Sequence, residues 1–129
     1  MAHSRIRVAV VDDDVSVCRA LGRFLRASSF EAETYGAGPE FLEGFYAFCP
    51  HCIVLDLHME GMTGFDVQRH LSRLGSKLPV IIITGHDNSR AGAETMALGA
   101  SAFLTKPVDG PLLVSTIEQL VGEAHSACR

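Results

Sequence analysis

Four hydrophobic runs in this 129-residue chain each end on a residue that can handle charge. The run Cys52 to Leu55 reads as a buried strand and ends on Asp56. Glu60, Gly61, Thr63 and Gly64 follow, which is turn chemistry. A carboxylate at the mouth of a buried strand is costly unless it is paired, metal-bound or functional. Arg7 to Val11 ends in Asp12-Asp13-Asp14, Pro79 to Thr84 ends on the Thr84 hydroxyl, and Ala102 to Thr105 ends at Lys106-Pro107. If these ends converge, three carboxylates crowd together and raise one another's pKa until a cation intervenes. A hard divalent ion with oxygen ligands answers that need, and Mg²⁺ keeps some waters and favours phosphate. A hydroxyl and an ammonium opposite the metal suit a phosphoryl group. Asp56 is then the candidate nucleophile, forming an aspartyl phosphate. Taken singly, each group has a plainer explanation. The Asp triplet can cap a helix, Thr84 can be a strand-end hydroxyl, and Lys106 can be a solvated surface lysine. Their joint placement at one end of one sheet makes that coincidence hard to sustain.

The elements that must position them alternate regularly. Strands are expected over Arg7–Val11, Phe30–Tyr35, Cys52–Leu57, Pro79–Thr84 and Ala102–Thr105. Between them the apolar spacing is helical. The first helix uses Val17, Cys18, Leu21, Phe24 and Leu25, with Asp14 as its cap. The second opens at Gly36, Gly38 and Pro39 and presents Phe41, Leu42, Phe45 and Tyr46. Thr63-Gly64-Phe65-Asp66 is a capping box for a third helix using Phe65, Leu71 and Leu74, stopped by Gly75. A fourth, Ser89 to Leu98, is Ala-rich and expected to be weakly anchored and mobile. The fifth shows Leu113, Thr116, Ile117, Leu120 and Val121 on one face. Five strand–helix alternations define an α/β domain with a parallel sheet covered on both sides. The second strand is polar and suits an edge, while the first, third and fourth are apolar throughout, as central strands are. Strand order 2-1-3-4-5 follows, with ligands at the carboxyl ends of the strands.

Bulk properties narrow the classes. Apolar residues are 47% of the chain and mean hydropathy is slightly positive, which fits one packed domain over residues 1–129. A net charge of −4 gives no reason to expect nucleic acid on this domain. No apolar run approaches a membrane span, and Met1 to Arg7 has no signal-peptide core, so a cytoplasmic location is expected. The cysteines at 18, 49, 52 and 128 form no disulfide framework. Cys49-Pro50-His51-Cys52 resembles the redox motif of a thioredoxin-fold oxidant, but its helix lies on the wrong side, before the motif rather than after it. Zinc would need two more ligands. Incidental thiols in a loop are the expectation.

Four stretches together resemble the receiver domain of two-component response regulators, over essentially the whole chain. They are Val10-Val11-Asp12-Asp13-Asp14, Val54-Leu55-Asp56-Leu57-His58-Met59, Ile83-Thr84-Gly85 and Phe103-Leu104-Thr105-Lys106-Pro107. Their wording is most similar to FixJ-type receivers. The resemblance implies a flavodoxin-like (βα)5 doubly wound sheet, with Asp56 as the phosphoacceptor. It implies Mg²⁺ held by Asp13, Asp56 and the His58 main-chain carbonyl, with Asp12 acting mostly through water. Lys106 pairs with the phosphoryl group, Thr84 hydrogen-bonds it, Phe103 is the aromatic switch residue, and the Lys106-Pro107 bond is cis. His58 and His86 influence water access to the phosphoryl group. The implied partner is a sensor histidine kinase. The implied output is a changed surface on helix four, strand five and helix five that promotes a homodimer. No turnover enzyme is implied, only phosphorylation and dephosphorylation of the domain itself. An output domain is not included, and DNA would be reached only through such a domain. Two positions depart from the family pattern. Glu60 stands where proline is usual, which predicts a more flexible and more acidic loop, and Val108 stands where an aromatic is usual, which bears on the packing of helix five.

Two other classes compete. A haloacid-dehalogenase-type aspartyl-phosphate phosphatase also uses Asp, Thr, Lys and Mg²⁺. It needs a second acid two residues beyond the nucleophile, where this chain has His58. A flavodoxin-like mononucleotide binder would place Gly, Ser and Thr after the first strand, where three aspartates repel phosphate.

Overall fold

Alternation of hydrophobic strands and amphipathic helices gives the expected doubly wound sheet. The computed structural model describes residues 5–85 and 89–127. The elements run β1 (Arg7–Val11), α1 (Val15–Ala27), β2 (Glu31–Tyr35), α2 (Gly38–Phe48), β3 (Cys52–Asp56), α3 (Gly64–Arg73), β4 (Val80–Thr84), α4 (Ser89–Ala97), β5 (Ala102–Thr105) and α5 (Gly110–Ala127). All strand pairs are parallel, in the order β2-β1-β3-β4-β5. Each expected strand boundary falls within one residue of the observed one, while α5 extends beyond the face read from Leu113 to Val121.

Period-two alternation on the central strands divides the core between two faces. Ala9, Val11, Ile53, Leu55, Val80 and Ile82 face α2, α3 and α4, where they meet Phe41, Phe45, Val67, Leu71 and Ala91. Val8, Val10, Cys52, Val54, Ile81 and Ile83 face α1 and α5, where they meet Leu21, Leu25, Leu113, Ile117 and Val121. Tyr35 meets Phe41 edge to face at 5.3 Å, a geometry that adds about 0.5–1.5 kcal/mol to area burial. The polar strand β2 is an edge as expected, with Glu31 and Glu33 exposed and the Ala32 carbonyl accepting the Arg26 guanidinium at 3.0 Å.

Three helical faces differ from expectation. Tyr46 is 70% exposed and stacks on Phe45 from outside at 4.3 Å. Leu74 is exposed at the C-cap of α3, and the buried face of that helix is carried by Val67, Gln68 and Leu71. Phe24 is partly exposed and lies over Gly110, where a β-carbon would come within 2.9 Å of three ring atoms. The cap assignments hold. Asp14 caps α1, Thr63 and Asp66 form the capping box of α3, and Gly75 takes φ +73° just past its end. Pro39 sits in the first turn of α2. Val108 packs partly buried on the α1–α5 face. α4 is short, and among its described side chains only Ala91 and Thr95 are buried.

The seating of α3 is tight. A β-carbon on Gly64 would stand 2.6 Å from the Asp56 carbonyl oxygen and 2.9 Å from the Leu57 α-carbon, so backbone itself excludes any side chain there. Gly122, on the exposed side of α5, has nothing within 4 Å of the same point. Gly64→Ala should therefore destabilise the domain by about 1–3 kcal/mol through overpacking, while Gly122→Ala should stabilise it by about 0.5–1 kcal/mol. Urea midpoints of the two variants against the parent check both signs.

Candidate functional site

The register sets the site. Val11 lies opposite Leu55, so the next residues, Asp12 and Asp56, emerge side by side where β1 and β3 end. Thr84 closes β4 opposite Thr105, and Lys106 follows directly, its N–H donating to the Thr84 carbonyl at 2.7 Å. The Lys106-Pro107 peptide is cis, as the resemblance implied.

The three consecutive aspartates have separate tasks. Asp14 accepts Ser16 N–H at 2.9 Å, Ser16 Oγ at 2.7 Å and Val17 N–H at 3.4 Å, and these bonds, the Ser16 hydroxyl first, hold its carboxyl below the usual range. Helix capping therefore accounts for Asp14 alone. Asp12 is 1% exposed; its Oδ1 accepts Asp14 N–H at 2.9 Å, and its Oδ2 lies 2.8 Å from Lys106 Nζ. Asp13 is exposed, and its Oδ2 accepts the Glu60 N–H at 3.1 Å.

Asp56 is 3% exposed, with Oδ1 3.2 Å from Lys106 Nζ. Burial pushes its pKa up, the Asp12 charge pushes it further, and Lys106 opposes both without reversing the direction. For Lys106, burial works downward, but contact with Asp12 and then Asp56 outweighs it and the net direction is up. One ammonium thus serves two buried carboxylates. Carboxylate oxygens of Asp12, Asp13 and Asp56 all lie within 4.8 Å of one another. An all-oxygen donor set with three negative charges and one cation fits a hard divalent ion.

Thr84 is fully buried at the β4 terminus, and His58 is exposed in the loop after β3. Phe103 is half-buried on β5, packed against the α2–α4 side of the core. The sheet thus brings Asp12, Asp13, Asp56, Thr84 and Lys106 to one end, as the strand pattern required. His86 and Cys128 lie outside the described residues. Reading the sequence missed the bond from Glu60 to Asp13, because its donor is a main-chain N–H that no side chain advertises. The Glu60-for-proline departure was the signal, since proline has no such donor. Also missed was Cys18, whose buried thiol donates to the Asp12 carbonyl at 3.1 Å. The Cys49–Cys52 motif lacks the helix N-terminus that the redox motif uses. Cys49 ends α2 in a left-handed conformation, and Cys52 is fully buried in β3 with its pKa pushed up to about 12 by burial.

Comparison with known proteins gives the family and the fold. Residues 8–118 match the response regulator receiver domain model. Nodulation protein W of Bradyrhizobium diazoefficiens is 36% identical over 106 residues, covering 82% of this chain and 47% of the relative. The transcriptional regulatory protein FixJ of Azorhizobium caulinodans is 31% identical over 117 residues, covering 91% of this chain and 56% of the relative. The chain spans about half the length of these curated relatives. Among solved structures, FixJ-N superposes with a TM-score of 0.85 at 28% identity, covering 93% of this chain and 96% of that one. A CheY-like receiver domain protein from Methanospirillum hungatei shares the fold at TM-score 0.89 and 22% identity, covering 96% and 99%. The chain belongs to the response regulator receiver domain family, the signalling modules of two-component systems. No helix among the described residues is long and apolar enough to cross a membrane.

The raised Asp56 pKa carries a sign. A carboxyl whose folded pKa exceeds its unfolded value penalises the folded state above the folded pKa. The penalty disappears as pH falls through that value to the unfolded one. In chelator-treated, metal-free buffer, Asp56→Asn should be more stable than the parent at neutral pH. The gap should close as pH drops through the raised Asp56 pKa. Urea midpoints measured across pH test this, and a gap that widened on acidification would contradict it.

Proposed function

We infer that residues 1–129 form a single receiver unit that takes a phosphoryl group from a sensor histidine kinase onto Asp56. The observation that carries this is the Lys106 ammonium, held 2.8 Å from Asp12 and 3.2 Å from Asp56 at the carboxyl end of the sheet. A carboxylate oxygen of Asp56 attacks phosphorus. The P–N bond to the kinase imidazole breaks, and that nitrogen keeps the electron pair and regains a proton in solution. Lys106 leaves its place between the carboxylates to pair with a phosphoryl oxygen, and the Thr84 hydroxyl donates to another. Asp13 and Asp56, with the His58 main-chain carbonyl, would hold Mg²⁺, and Asp12 would act mostly through water. When bound, Mg²⁺ supplies positive charge to the crowded carboxylates and to the phosphoryl oxygens. His58 and His86 govern access of the water that later hydrolyses the acyl phosphate.

The reaction is a self-limited signal without turnover of a separate substrate. A bond from Thr84 available only in the phosphorylated state contributes about 1.5–3 kcal/mol, enough for a partial and reversible bias. Drawing Thr84 inward opens space for the Phe103 ring, shifts the α4–β5–α5 surface and promotes a homodimer. Curated relatives printed as transcriptional regulatory proteins, of which this chain covers about half, support an output on transcription, reached through a DNA-binding segment outside these residues.

Acetyl phosphate with Mg²⁺ should add one phosphoryl group to the parent and none to Asp56→Asn, read by intact mass. Full phosphorylation of Asp56→Asn would falsify the assignment. Phe103→Ala should be phosphorylated as fully as the parent yet lose most of the phosphorylation-dependent association. Sedimentation with and without phosphodonor distinguishes this from a Phe103 that serves only the core, where dimerisation would survive.

A further inference from the structure

A short helix of small residues needs something besides packed area to hold it. α4 buries Ala91 and Thr95 among its described side chains, while Met96 is half exposed. Its C-terminal end converges on one atom. The Thr95 carbonyl accepts Leu98 N–H at 3.1 Å, Ala100 N–H at 3.0 Å and the Gln68 side-chain amide of α3 at 3.0 Å. Ala100 N–H, and Leu98 N–H shared with the Glu94 carbonyl at 3.1 Å, already end the helix on backbone donors, so helix termination does not require Gln68.

Gln68 is also a poor choice for stability. It is 2% exposed, and its Oε1 has no hydrogen-bond partner among the described residues. Burying an unmet acceptor costs free energy that an apolar side chain of similar size would not. Among the described residues, the side-chain hydrogen bond that Gln68 makes joins two helices. One turn earlier in α3, Gly64 N–H donates to the Leu57 carbonyl at 3.0 Å, and the helix is pressed onto the Asp56 main chain with no room for a side chain. At the other end of the connection, Gly92 of α4 lies beside the Phe103 ring, 3.9 Å from where its β-carbon would be. A continuous series of contacts therefore runs from Asp56 through α3 to the end of α4, and from α4 to Phe103.

We propose that Gln68 is a positioning residue that pins the C-terminal end of α4 to the helix seated on Asp56, making Thr95 the point about which α4 turns when the domain switches. This rests on the reading of Asp56 as phosphoacceptor. With its end pinned and only small side chains buried, α4 pivots rather than slides, and the turn beside Phe103 moves most.

Hydrogen exchange on the parent, Gln68→Met and Gln68→Leu tests the tie. Both substitutions remove the donor and the unmet acceptor while keeping an apolar body. In unphosphorylated protein the last turn of α4 should exchange about tenfold faster in both variants. Urea midpoints should equal or exceed the parent's, a combination that a merely structural residue would not give. With acetyl phosphate and Mg²⁺, intact mass should show equal phosphorylation, while the phosphorylation-dependent change in α4 protection falls severalfold. Exchange of α4 unchanged in both variants overturns the tie, and an unaltered phosphorylation response overturns the coupling. A parent that takes up no phosphoryl group refutes the signalling reading and the coupling with it; exchange in the unphosphorylated protein still decides whether Gln68 pins α4.

Discussion

One ammonium holds the acidic end of this sheet together. Asp12 and Asp56 are buried side by side because parallel register leaves them no other place, and burial makes the charged form of Asp56 costly. Lys106 reaches both from the far side of β4. Its reach depends on the strand order, which puts β4 between β3 and β5 and ends all of them at one level. A buried pair of carboxylates with one cation is electrostatically under-filled, and an under-filled site is ready for further positive charge. The features needed to attract a metal and a phosphoryl group are thus already present as a deficit in the resting domain.

That deficit is contained by main chain more than by side chains. Asp12 spends an oxygen on the Asp14 N–H between β1 and α1, Asp14 spends one on the first turn of α1, and Asp13 is met by the backbone of the opposing loop. Gly64 lets α3 lie directly on the carbonyl of Asp56. Rigid backbone around a site leaves little reorganisation to be done when charge arrives.

What the sequence disclosed follows from which forces are local. Strand extents, caps and strand order were legible because period-two apolar runs, Asp14, the Thr63–Asp66 pair and Gly75 act within a few residues. The convergence of Asp12, Asp13, Asp56, Thr84 and Lys106 followed from topology alone. Tyr46 and Leu74 were misplaced because helical periodicity does not say where an apolar stripe stops, and both lie beyond the edge of what the sheet can cover. Gln68 was passed over because a polar residue in a helix reads as solvent-facing until tertiary structure buries it. The Glu60–Asp13 contact was invisible because every non-proline residue carries the same N–H.

Both borders of the sheet are guarded. On β2, exposed Glu31 and Glu33 flank a carbonyl already taken by Arg26, and β5 is only four residues long. Charge on one border and shortness on the other both discourage pairing with another strand. A second molecule is thereby steered away from continuing the ladder, whose repeated main-chain bonds would be insensitive to sequence and slow to undo. The helical faces are the readier surface, where each contact belongs to a particular side chain. Contacts of that kind can be weakened or strengthened one residue at a time, which lets closely related copies of the same fold share a compartment without binding one another.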